Sequence, residues 1–168
     1  MKKHTNFFIY LCFIVLITTN QSCIHITPPP EADSCSHRGI TYKIDGTLYS
    51  FDDENVTAEI RHDAAIGKFY DIWSDDNVNG QNGFYFHSTV TETGEQAPYA
   101  PDWFTTDDVG NIAFLNQKTG VQITFKVIKG ANAPGQPVEI DFSGTFEENG
   151  TTRHITDGKI CTDIDTVD

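Results

Sequence analysis

Apolar residues in this chain recur at every second position, in short runs separated by turn dipeptides, and that pattern restricts it to β structure. The clearest run is GVQITFKVI, where Val121, Ile123, Phe125 and Val127 share one face. VEIDFSGTF repeats it with Val138, Ile140, Phe142, Gly144 and Phe146. Side chains alternate sides along a strand, so a period of two gives one face to a core and the other to water. ITYKI meets Asp45-Gly46 and continues as TLYSF, a hairpin signature, because Asp-Gly readily takes the positive φ values of two-residue connections. VTAEIR, KFYDIW and GFYFHSTV read as further strands. Thr119-Gly120 reads as a turn between NIAFLNQ and GVQITFKVI, and Asn149-Gly150 and Asp157-Gly158 as two more reversals. Residues 53–67 also fit a helix, with Val56, Ile60 and Ala64 at i+4, Asp53 as cap and Gly67 as stop. The strand reading is preferred, because Val56, Ala58 and Ile60 alternate and HDAAIG resembles a hairpin loop. The expected fold is all-β, an antiparallel β-sandwich of about nine or ten strands, with a closed lipocalin-like β-barrel as the alternative.

The front end has a different composition. Lys2 and Lys3 precede eleven apolar residues, Phe7 to Ile17, and Thr18 to Ser22 form a small polar exit. An eleven-residue helix is roughly 16 Å long, about half a hydrocarbon core, so residues 1–22 read as a signal peptide rather than a membrane span. The Ser22-Cys23 junction resembles the end of a bacterial lipobox, although Asn20 and Gln21 differ from its usual residues. That resemblance implies lipidation of Cys23; the plainer alternative is an ordinary secreted cysteine. Acylation at more than one position anchors a protein stably. Residues 23–34, with Pro28, Pro29 and Pro30, would then be an extended tether reaching roughly 30 Å at about 3 Å per residue. Residues 35–168 are expected to form a single β domain.

Removing the leader moves the formal net charge from −13 to −15, since Lys2 and Lys3 go with it. Such acidity disfavours nucleic acid and anionic lipid surfaces as partners. Cys12 leaves with the leader and Cys23 is taken by lipid, so Cys35 and Cys161 remain as a pair in an oxidising compartment. A disulfide between them is expected, with two buried thiols as the alternative.

Both ends of the mature chain also carry a family likeness. YKIDGTLYSF and FSGTFEENGTTRHITDGKI resemble the opening and closing hairpins of small, uncharacterised β-rich lipoproteins of Bacteroidota. The shared elements are Asp45-Gly46, Gly144-Thr145-Phe146 and Ile155 to Ile160, while the middle matches only in general pattern. The resemblance implies a lipid-anchored envelope domain and carries no activity. Asp165-Thr166-Val167 resembles an O-glycosylation signal of exported proteins in that phylum, against the plainer reading of a frayed, unmodified end.

Two stretches carry candidate binding chemistry. Asp75-x-Asn77-x-Asn79-Gly80 reproduces the first half of a calcium loop, in which alternate oxygens converge on a cation. The position for the closing bidentate glutamate holds Phe86, so calcium competes with an Asx-rich hairpin loop. Tyr99, Trp103 and Phe104 stand in a proline-punctuated loop beside Asp102, a set that could stack on a sugar and bind its hydroxyls. The same aromatics could instead plug the end of the core.

Catalytic motifs are scarce. His37, His62, His87 and His154 show no zinc spacing, and neither G-x-S-x-G nor a Cys–His nucleophile context occurs. The expectation is therefore a lipid-anchored, non-enzymatic binding or accessory module of the cell envelope, an outer-membrane lipoprotein facing either side. Its partners would be the membrane, through the lipid, and a glycan or envelope protein, with no nucleic acid. No cofactor is expected beyond an optional Ca²⁺. The alternatives are a calcium-dependent carbohydrate-binding module, a lipocalin-like small-ligand carrier and an envelope hydrolase.

Overall fold

Asp45 and Gly46 take φ values of 47° and 84° and join β1 (Gly39–Ile44) to β2 (Thr47–Asp52), as the Asp-Gly signature requires. The computed structural model describes residues 35, 37–78, 81–100 and 110–168. The expected leader, Cys23 and the expected tether lie outside those residues, as do Asn79, Asp102, Trp103 and Phe104. After β2 the strands are β3 (Val56–Asp63), β4 (Gly67–Val78), β5 (Gln81–Ser88), β6 (Gln96–Pro98) and β7 (Gly110–Ile112). The series continues with β8 (Thr119–Lys129), β9 (Pro137–Glu148), β10 (Thr151–Asp163) and the short β11 (Thr166–Val167).

These strands form two sheets, a six-stranded one ordered β2-β1-β10-β9-β8-β6 and a five-stranded one ordered β11-β3-β4-β5-β7. Each sheet keeps two distinct edges, so the fold is a sandwich and not a closed barrel. All pairings are antiparallel except β11 on β3. Of the helix-like residues 53–67, only Asp53–Asn55 coil, as a 3₁₀ turn; the rest make β3, a turn and the start of β4.

Two of the turn dipeptides do not turn the chain. NIAFLNQ splits into β7 and a 3₁₀ segment, Ala113–Gln117, and β7 belongs to the other sheet from β8. Gly120, at φ 59°, lies in β8, where the two residues between Thr119 and Gln122 face one on β9. Asp157-Gly158 likewise sits inside β10. There the register on β9 moves from Ile155↔Gly144 to Gly158↔Phe142, which inserts one residue. The bulge has a clear use: Ile155 and Ile160 are an odd number apart, yet both are buried in the core.

The inward faces meet through an aromatic centre. Tyr42 of β1 stacks on Tyr49 at 5.0 Å and lies 5.8 Å from Phe84 of the opposite sheet. Phe114 and Phe142 each stand 5.9 Å from Tyr42. Cys35 and Cys161 are joined by the expected disulfide, with Cα atoms 6.0 Å apart and a sequence separation of 126. The end of the chain is held and not frayed. Asp165 N donates to Ala58 O and its Oδ2 accepts from Ala58 N, both at 2.8 Å.

Candidate functional site

Strand parity sorts the five-stranded sheet into two faces. Val56, Ala58 and Ile60 of β3, Tyr70, Ile72 and Ser74 of β4, and Phe84, Phe86 and Ser88 of β5 are buried on the inward side. Their neighbours therefore stand on the outer side, and the register lines them up in rows. Thr57 faces Trp73, which faces Tyr85; Glu59 faces Asp71, which faces His87; Arg61 faces Phe69. A bulge produces this alignment. Between Ser74↔Phe84 and Asn77↔Asn82, β4 carries one more residue than β5, and without it Trp73 would meet the inward Phe86.

An outer face normally meets water, yet Asp71 and His87 are only 4% and 1% exposed. They form the centre of a polar network. Tyr85 Oη donates to Asp71 Oδ1 at 2.6 Å, and His87 Nδ1 meets the same oxygen at 2.9 Å. An ionised carboxylate only accepts, so Nδ1 carries the proton. Arg61 Nε lies 3.5 Å from Asp71 Oδ2, and its guanidinium also binds Glu59 Oε2 at 2.6 Å. Phe69 packs on the His87 ring at 4.8 Å. Burial pushes the Asp71 carboxyl up, but the hydrogen bonds from His87 and Tyr85 and the pull of His87 and Arg61 outweigh it, leaving it below the usual aspartate range. The Tyr85 hydroxyl is driven well up, by burial first and then by its bond to Asp71.

Beside the network is a cleft of about 610 Å³ whose walls, among the described residues, include Arg61, Asp71, Trp73, Asp75, Tyr85 and Phe114. It borders the place where β7 ends opposite Phe86 and the chain turns into the 3₁₀ segment. A second cleft of about 590 Å³ lies on the six-stranded sheet, walled by Lys126, Asp141, Asp157 and Lys159. Phe142, which also lines it, is a ring committed to the core.

The residues singled out by sequence are dispersed. Asp75 is exposed on the wall of the first cleft, Asn77 is paired with Asn82 in the ladder, and Asn79 is outside the described residues. The expected loop is therefore strand as far as Val78, and Val78↔Gln81 leaves a two-residue connection. Among the described residues no group of three or more His, Cys, Asp or Glu side chains gathers as metal ligands. Tyr99 packs partly against the core and donates to Asn116 Oδ1 at 2.7 Å. His62 bonds the Asp168 carbonyl and His37 approaches Ser50.

Chemically, Asp71 is a fixed acceptor that orients a tyrosine, a histidine and an arginine. Ser74 and Ser88, on the same two strands, are buried on the opposite face of the sheet. Sequence reading missed Arg61, Asp71, Trp73 and Tyr85. The available signal was the second parity of KFYDIW and GFYFHS, which sets Phe69, Asp71, Trp73, Tyr85 and His87 apart from the core stripe. No protein-family model matches the chain, and comparison with curated proteins and with solved structures returns no similar protein.

Proposed function

We propose that this chain is a lipid-anchored, non-enzymatic binding module of the bacterial cell envelope, and that its binding face is the outer side of the five-stranded sheet. One observation carries the choice of face: Trp73 and Tyr85 stand directly opposite each other in a cleft beside the ordered Asp71 network. Apolar walls with a few fixed polar groups are the usual makeup of ligand sites. Preorganised side chains also lower the entropy lost on binding. The anchor rests on the order of charged, apolar and polar segments ending at Cys23.

The test has two parts. Wild-type protein should partition with membranes and incorporate labelled palmitate, and Cys23→Ala should do neither. The unanchored Cys23→Ala protein should then bind isolated envelope fractions saturably, and adding Trp73→Ala should abolish that binding with the melting temperature unchanged. Envelope binding that survives Trp73→Ala would remove this face from the account.

A further inference from the structure

Resting on that reading of the face, we infer that its ligand is an uncharged sugar ring of a neutral glycan. Trp73 and Tyr85 are direct cross-strand partners. Such pairs hold their Cβ atoms about 5 Å apart, so the two rings offer contiguous apolar surface. A pyranose fits that surface with its C–H face and needs donors and acceptors around its hydroxyl edge. Both stand on the cleft walls: Asp75 is exposed and accepts, and Arg61, its side chain 44% exposed, donates.

Charge selects among ligand classes. Asp71 and Asp75 repel phosphate, sulfate and uronate groups, and a chain of net charge −13 adds long-range repulsion of polyanions. Arg61 acts against a quaternary ammonium or a lysine-rich peptide, which two aromatics and two acids would otherwise attract. Arg61 is already shared by Glu59 at 2.6 Å and Asp71 at 3.5 Å, which leaves the exposed Asp75 as an acceptor that a sugar hydroxyl can reach as donor. The volume lies inside the range of small-ligand sites, about 300–1,000 Å³. The cleft on the six-stranded sheet has charged walls and no cross-strand pair of aromatic residues among its described lining residues.

The sequence holds two tryptophans, so Trp103→Phe in the Cys23→Ala protein leaves Trp73 as the sole reporter. Its fluorescence would be titrated with soluble α-glucan, mixed-linkage β-glucan, mannan and neutral xylan, and with polygalacturonate and chitosan as charged controls. At least one neutral polymer should shift the emission saturably, and neither charged polymer should. In affinity gels containing that polymer, Trp73→Ala should weaken retardation at least about tenfold, with Trp73→Phe intermediate. Binding that is unaffected by Trp73→Ala, or that appears only with a charged polymer, overturns the inference. If no neutral polymer binds while Trp73-dependent envelope binding persists, the sugar class fails and the face stands. Loss of both results removes the face as well.

Discussion

Tyr42 and Tyr70 are both fully buried, yet their hydroxyls meet opposite conditions. Tyr70 Oη shares its one proton between the Thr91 and Ala131 carbonyls, at 2.9 and 3.1 Å, and accepts from Ala131 N at 2.8 Å, tying two loops together. Burial raises its pKa, against the Ala131 bond that lowers it, to about 12. Tyr42 Oη has no hydrogen-bond partner among the described residues. Removing an unsatisfied buried hydroxyl costs little, whereas removing a bonded one strands its partners. Urea unfolding should therefore show Tyr42→Phe as stable as wild type or more so, and Tyr70→Phe less stable by about 1–3 kcal/mol. Asp71 gives a pH signature. Its folded pKa lies below the ordinary 3.8, so its stabilisation is complete above that value and is lost as pH falls through the lowered one. Asp71→Asn should lower stability at neutral pH by about 1–3 kcal/mol. The gap to wild type should close on acidification below about pH 4. A gap that stays constant with pH would show that Asp71 is not held ionised.

At the scale of elements, bulges decide which side chains reach which face. Gly158 is packed so closely that a Cβ there would stand 2.4 Å from Phe142 O and 2.6 Å from its ring. Gly158→Val should destabilise the fold by more than about 2 kcal/mol, measured by thermal melting, because the β9–β10 contact must open. Bulges also set the limit of sequence reading. Asp45-Gly46 and Asn149-Gly150 turn the chain as read, since φ values of 47° and 84°, and of 53° and 74°, connect adjacent strands. Asp157-Gly158 has the same chemistry but lies inside a thirteen-residue strand. Positive φ serves a bulge as well as a turn, and only pairing with β9 and β1 separates the two. The core stripes of β8 and β9 were legible because burial on one face imposes period two. The Trp73–Tyr85 row was not, because a hairpin paired from residues 79–80 without the extra residue in β4 would place Trp73 opposite Phe86.

For the whole molecule, cysteine counting worked because it needs no register: once Cys12 and Cys23 are set aside, two cysteines have one connectivity. The disulfide closes a span of 126 residues, worth about 5 kcal/mol in the chain-entropy model. Replacing Cys35 and Cys161 with Ala should lower the urea midpoint markedly, with the m-value change reporting a looser unfolded state. The sandwich offers two outer faces with clefts of similar size, about 610 and 590 Å³, and the account assigns binding to the first. That assignment is tested most directly by one comparison in the Cys23→Ala background. Saturable binding to isolated envelope fractions would be measured for Trp73→Ala on the five-stranded sheet and Lys126→Ala on the six-stranded one, with melting temperatures matched. Binding lost in Trp73→Ala and retained in Lys126→Ala is the predicted result; the reverse would contradict the account.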